Sequence, residues 1–246
     1  VTESFLPSLN GVTNSVLRVV ETLKAQGHEV LIVAPTSESP EHEGFPVVTS
    51  SFVPLGGFPV AIPTPAITQT LDRFAPDLIH AAAPFWLGGQ SIAYAAKKGI
   101  PSVAVYQTDV AGYMERYGLE FAGPILEAIT AAIHRPATIS LAPTQDGKDF
   151  LHKIGIDTVE LWGRGVDAEL FYPERRTSAS VRALRERFAP DGERIIGYVG
   201  RLAPEKQVAR LVEVCGIPNT RVVIVGDGPD RLELEDRFAG YPVTFT

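Results

Sequence analysis

Of its 246 residues only one is cysteine, one is methionine and two are tryptophan. A lone Cys215 excludes an intramolecular disulfide and fits a reducing compartment; its place on an apolar helical face reads as core. No run approaches the ~18–20 apolar residues of a membrane span, and no basic-then-apolar leader opens the chain. Cytoplasmic is therefore the default expectation. Basic charge is also short: 22 Lys and Arg stand against 29 Asp and Glu, a net charge of −7. Nothing there neutralises phosphates in series, so no nucleic-acid partner is expected. The five histidines, at 28, 42, 80, 134 and 152, form no i, i+4 pair, and no thiol or carboxylate cluster has ligand spacing. No metal site is expected. Neither a Gly-x-Ser-x-Gly elbow nor a Walker loop is present. What remains is 45% apolar, the composition of a soluble globular protein with length for one large or two modest domains.

Short apolar runs alternate with helical periods, the pattern of a parallel α/β sheet. Val16, Val19, Val20 and Leu23 recur at helical spacing, and Gly27 closes that helix. Residues 29–34 read as a strand ended by Pro35. Residues 36–62, rich in Pro, Gly and Ser, are expected to hold one short strand, at 46–49, and a long loop. Helices are expected at 64–74, 85–98, 119–134 and 145–154, and strands at 77–80, 102–106, 137–142 and 159–162. Together they make one nearly whole doubly wound domain over residues 1–165. Residues 166–192 read as a linker with one short exposed helix, where Arg175, Arg176, Arg182, Arg185 and Arg187 alternate with acids. The Arg cluster reads first as a solvated helix face and second as a contact for anionic lipid. A second α/β unit is expected over 193–246. Its strands fall at 195–199, 221–225 and 243–246, and its helices at 207–214 and 230–238. The first and last strands both read as cut, so the chain is expected to be a piece of a longer protein and inactive alone.

Four loops at element boundaries carry residues with chemistry. Gly200-Arg201-Leu202-Ala203-Pro204-Glu205-Lys206 leaves an apolar strand for a helix. Two cations at a strand's carboxyl end, beside a helix amino end, suit a dianion such as a diphosphate. A surface loop with solvated Arg and Lys reads about as well. In Phe5 to Thr13, Gly11 lets backbone approach an anion and Thr13 can cap the following helix; a plain turn with an N-cap is the alternative. In Tyr106-Gln107-Thr108-Asp109-Val110-Ala111-Gly112-Tyr113, Asp109 can accept from a sugar hydroxyl and Tyr113 can stack on a sugar face. Asp109 also reads as a helix N-cap. Trp162-Gly163-Arg164-Gly165-Val166-Asp167 reads as a hinge. The turn Gly226-Asp227-Gly228-Pro229 is by itself a common one.

Gly200-Arg201-Leu202 through Lys206 resembles the G-R-L-x-x-x-K loop of retaining, nucleotide-sugar-dependent glycosyltransferases of the GT-B fold. The other loops match in order. Asn10-Gly11 resembles the family's N-terminal glycine loop. Residues 106–113 resemble its Y-H-T-D-x-x-x-Y, and residues 163–173 its x-x-G-V-D-x-x-x-F-x-P. The nearest resemblance is to GDP-mannose-dependent α-mannosyltransferases of the glycogen-synthase-like and phosphatidylinositol-mannosyltransferase-like family, glycosyltransferase family 4. It implies two Rossmann-like doubly wound domains facing a cleft, the second incomplete here. It implies a metal-independent reaction with no cofactor besides a nucleotide-sugar donor, GDP-mannose, and a glycolipid or glycan acceptor. A lipid acceptor would bring peripheral contact with the inner membrane face. The resemblance gives Arg201, Lys206, Asn10 and Gly11 to the diphosphate, Gly226, Asp227 and Gly228 to the nucleoside side, and Asp109 with Gln107 to the reacting centre. Tyr113, Arg164 and His80 become candidate acceptor contacts; His80 reads first as an ordinary core or surface histidine. Gln107 stands where the family has histidine. A glutamine cannot titrate, so it offers only hydrogen bonds. A UDP-sugar donor and a non-catalytic nucleotide- or phosphate-binding α/β protein stay open as alternatives.

Overall fold

The computed structural model describes residues 1–55, 58–107, 123–163 and 165–246, apart from the side chains of Pro54, Leu55 and Phe58. The chain divides into two compact units, Val1–Gly165 and Val166–Thr246.

The first unit is built on parallel strands. β1 (Ile32–Ala34) pairs with β3 (Phe45–Thr49) in parallel, and β3 takes the two-residue β2 (Glu41–His42) antiparallel on its other side. β6 (Ile79–Ala82), β7 (Ser102–Val105), β8 (Ile139–Ala142) and β9 (Val159–Leu161) pair in that order, all parallel. Residues 1–2 join the two sets: Thr2 donates to Val33 O, bridges Ala82 in parallel, and Val1 O accepts from Ala82 N. Helices α1 (Gly11–Ala25), α2 (Pro65–Phe74), α3 (Trp86–Lys98), α4 (Gly123–His134) and α5 (Gln145–Lys153) connect the strands.

The alternation of a strand sorts the core. Ile32 and Ala34 pack with Val16 and Val20 of α1, Phe5 and Val47, whereas Val33 packs with Ile67 and Leu71 of α2 and Leu87 of α3. All three residues of β1 are buried, as expected of a strand covered on both faces. Elements also stop where local chemistry says. α2 opens on Pro65, and Ala75 ends it in a left-handed conformation. α3 ends at Gly99, whose φ of +70° suits a residue without a Cβ.

Residues 36–62 depart from the long loop expected. They hold the β2–β3 pair and an antiparallel hairpin, β4 (Phe52–Leu55) with β5 (Phe58–Ala61). Pro54 pairs opposite Pro59 there. Neither proline has an N–H to give a ladder, which is why this composition reads as loop when only local propensity is weighed.

The second unit opens with a 3-10 turn, Pro173–Thr177, and α6 (Ala179–Phe188), none of whose residues is buried. A three-stranded parallel sheet follows in the order β10 (Arg194–Val199), β11 (Thr220–Val225), β12 (Val243–Phe245). Its core is Leu202, Val208, Cys215, Val222, Ile224, Leu234 and Phe238. Cys215 is buried, and its thiol donates to Leu211 O at 3.3 Å. The helix expected at 207–214 is not continuous. Gln207 has φ +50°, a 3-10 turn covers Val208–Leu211, and only α7 (Val212–Cys215) is α-helical. Val208, Val212 and Val214 are β-branched and weaken helix propensity, so burial of Val208 and Cys215 prevails over regular winding. The last helix, α8, spans Arg231–Arg237.

Candidate functional site

In the first unit, the loop from Thr2 to α1 is tied by side chains. Asn10, not Thr13, caps α1. Its Oδ1 accepts from Val12 N at 2.9 Å and Thr13 N at 3.1 Å. Its Nδ2 donates to Ser4 Oγ at 2.7 Å. Thr13 is fully buried: its Oγ1 donates to Ser8 O at 2.7 Å and lies 3.2 Å from Ser4 Oγ. Thr13 reads as the cap from sequence because it is a good capping type; the extended backbone of Asn10 decides otherwise. Both ends of the Asn10 amide therefore hydrogen-bond within the loop, Oδ1 to α1 and one Nδ2 hydrogen to Ser4. Asn10 takes the second and third N–H groups of the helix, and the N–H of Gly11 is the first-turn donor it does not take. Replacing Asn10 by alanine is expected to cost about 1–2 kcal/mol. That would lower the melting temperature of the first unit by roughly 2–8 °C. Asn10→Asp keeps the cap and loses only the bond to Ser4, so calorimetry should rank it between the two. Equal melting of N10A and wild type would count against this network.

Glu3 belongs to no sequence motif. Its Oε1 accepts from Phe85 N at 2.8 Å and Gly88 N at 2.9 Å, so a carboxylate more than eighty residues away caps α3. Burial raises its pKa, and the backbone hydrogen bonds of Gly88, Phe85 and Leu87 work against that rise. No local pattern could have revealed a cap from so distant a residue.

Gln107 follows β7 and is half-buried. Beside it, Tyr106 stacks on Phe150 with centroids 5.3 Å apart and meets His134 edge-on at 6.0 Å. His134 is buried with Nδ1 2.9 Å from Ser140 Oγ, and burial lowers its pKa to about 4, leaving the ring neutral near pH 7. Asp109, Tyr113 and Arg164 lie outside the described residues. His80 is the second residue of β6 and not the end of its strand. Its ring meets Trp162 edge-on at 6.4 Å. Burial lowers its pKa. It also lines a groove of about 470 Å³ with Val1, Leu31 and Leu78, by the amino-terminal ends of β1 and β6. Ligand chemistry in parallel sheets belongs at the other end, so this groove is not the site.

In the second unit two loops interlock where β10 and β11 end. The parallel ladder continues beyond the strands: Gly200 N donates to Val225 O at 3.0 Å and Leu202 N to Asp227 O at 2.9 Å. Asp230 N donates back to Leu202 O at 3.1 Å. A Cβ on Gly226 would overlap the Gly200 carbonyl oxygen, and one on Gly228 would overlap the Leu202 carbonyl oxygen. Gly226 also has φ +142°. Both glycines are thus required by backbone-on-backbone contact, which a common Asp-Gly turn does not disclose. Asp227 Oδ1 accepts from Gly228 N at 2.8 Å, turning that carboxylate onto its own loop. Arg231 closes the far side, donating to Gly226 O at 3.0 Å and Glu235 at 2.8 Å.

Leu202 and Ala203 are buried beneath this platform, whereas Arg201 is exposed. Lys206 ends a 3-10 turn, Pro204–Lys206, that Gln207 terminates in a left-handed conformation. The expected long helix start is absent from this loop, so its positive charge rests on the two side chains and not on a macrodipole. Among the described residues, no group of three or more His, Cys, Asp or Glu is placed to hold a metal ion, and no helix is long and apolar enough to cross a membrane.

Comparison with solved structures defines the class. Over the whole chain it superposes on HepE of Anabaena in complex with UDP-glucose, with a TM-score of 0.73 at 17% identity, and covers 67% of that protein. It superposes with a TM-score of 0.63 at 15% identity on WaaG, a glycosyltransferase involved in lipopolysaccharide biosynthesis, covering 68% of it. The fold is that of the GT-B glycosyltransferases. The family profile described as Glycosyltransferase Family 4 matches residues 9–170, and one described as Glycosyl transferases group 1 matches residues 182–243. The chain belongs to glycosyltransferase family 4. It is 43% identical over 244 residues to a GDP-mannose-dependent alpha-mannosyltransferase of Mycolicibacterium smegmatis, matched over 96% of this chain and 64% of that protein. It is 42% identical over 245 residues to a protein of the same name from Corynebacterium glutamicum, over 96% of this chain and 58% of that one. The chain thus spans about three-fifths of the length of these relatives.

Proposed function

We propose that this chain is part of a retaining, metal-independent glycosyltransferase that moves mannose from GDP-mannose to a hydroxyl of a glycolipid or glycan. The observation that carries the reading is the loop at 200–206. Its backbone is fixed by the second glycine loop, its apolar residues are buried, and Arg201 is left exposed with Lys206 following. The identity to relatives named for GDP-mannose supports the donor. In the reaction, negative charge builds on the leaving diphosphate as the glycosidic bond to it lengthens. Arg201 and Lys206 stabilise that charge without a metal, a preorganised donor of this kind contributing ~3–4 kcal/mol in the transition state. The family resemblance has the acceptor hydroxyl attack on the same face, with its proton passing to the leaving phosphate. No protein nucleophile is needed, and Gln107 contributes at most hydrogen bonds. Asp109 and Tyr113 are the proposed contacts to the sugar and acceptor. A lipid acceptor would hold the enzyme peripherally at an anionic membrane face.

Calorimetric titration of the intact protein with GDP, UDP, GDP-mannose and UDP-glucose tests the proposal. GDP and GDP-mannose should bind at least tenfold more tightly than the uridine ligands. Absence of nucleotide binding at millimolar concentration would overturn the transferase reading. Tight UDP with weak GDP binding would replace mannose by a UDP-linked sugar.

A further inference from the structure

We infer that Tyr198 is a positioning residue for Arg201: its phenol holds the Arg201 carbonyl and thereby sets where the guanidinium stands. Tyr198 is the fifth residue of β10, two before Gly200, and on a strand such residues share a face. The phenol donates to Arg201 O at 2.8 Å. Gly200 makes this geometry available: a Cβ there would come within 2.9 Å of the Tyr198 hydroxyl and 3.2 Å of its ring. Each of the three successive carbonyls thus has a distinct neighbour. That of Gly200 packs on Gly226, that of Arg201 accepts from Tyr198, and that of Leu202 accepts from Asp230 N and packs on Gly228. The outer two are fixed by main chain and glycine. The middle one, on the residue that carries the charge, is held by a side chain. Burial, then the nearby Glu205, raises the phenol's pKa above its ordinary value, which keeps the proton on the donor.

The bond is solvent-exposed, so water can replace it on the carbonyl. Its loss should cost little stability and mainly loosen the placement of Arg201. The inference rests on Arg201 contacting the donor diphosphate. The test is a double-mutant cycle in the intact protein, with GDP as the probe and Tyr198→Phe and Arg201→Ala as the two changes. Tyr198→Phe should weaken GDP binding roughly threefold to tenfold, the range of one hydrogen bond, with an unchanged melting temperature. In the Arg201→Ala background it should have no further effect, because what the phenol positions is gone. If Tyr198→Phe binds GDP as wild type does while Arg201→Ala weakens binding, the inference is overturned and the diphosphate reading stands. Additive losses overturn it too, since the phenol would then act independently of Arg201. Wild-type GDP binding by Arg201→Ala would instead remove the reading on which the inference rests.

Discussion

Replacing Gly228 by alanine is expected to unfold or severely destabilise the second unit. The added methyl would overlap the Leu202 carbonyl oxygen, and both partners are main chain. A clash with a flexible side chain relaxes by rotation; this one requires two loops to separate. Separation would break Leu202 N to Asp227 O and Asp230 N to Leu202 O, and would lift Leu202 from the core. Overpacking costs ~1–3 kcal/mol where side chains can adjust, and more where they cannot. Gly226→Ala should be as severe, because it adds a positive φ to an overlap with Gly200 O. For a unit of this size, about 3 kcal/mol corresponds to a loss of roughly 12–24 °C in melting temperature. Gly216→Ala is the matched control: its Cβ would meet nothing within 4 Å, and its φ is −84°. Calorimetry or urea denaturation followed on this unit checks all three. Wild-type melting of Gly228→Ala would sink the interlocked-loop account.

The second large effect concerns charge and not packing. Arg201→Ala should lower kcat/KM of the intact enzyme by about 100- to 1,000-fold, the loss expected when one preorganised donor to a developing oxyanion is removed. Because Arg201 is exposed, its removal should cost far less thermal stability than the glycine changes, which separates it from those variants. Lysine at 201 should recover only part of the activity. A guanidinium presents a planar fork that can grip two phosphate oxygens, and an ammonium is a single point of charge. Steady-state kinetics with GDP-mannose, alongside calorimetry, distinguishes the outcomes. Wild-type kcat/KM in Arg201→Ala would remove the diphosphate role of this loop. Lys206→Ala should act in the same direction with a smaller effect, since Lys206 lies at the end of a 3-10 turn and not on the interlocked segment.

Some local readings changed in the folded chain for identifiable reasons. Asn10 and Thr13 are both good capping residues, and the choice between them depends on which has extended backbone and which side chain is buried. The Pro, Gly and Ser content of residues 36–62 suggested a long loop around one short strand, yet Pro54 and Pro59 sit opposite each other in a hairpin, where pairing with the partner strand prevails over propensity. Val208 to Val214 has a helical period but winds as a 3-10 turn and a single α turn, because its valines weaken helix propensity and burial of Val208 and Cys215 prevails. Tyr198 left one legible signal, an aromatic residue two places before a glycine on the same strand face. Glu3 left none.

Residue periodicity, loop chemistry and motif order were enough to determine a parallel α/β chain of family 4 type. Those features are local: strand alternation, helical spacing and the residues at a strand's end can be read along a few positions of sequence. Only the tertiary structure decided that Gly226 and Gly228 are there for close contact with residues 200–202, that Asn10 caps α1 and donates to Ser4, and that Glu3 caps α3. Each of these depends on which backbone lies against which after folding. A glycine looks the same in sequence whether it frees a turn or makes room for a carbonyl, and an asparagine looks the same whether it or a nearby threonine caps the helix.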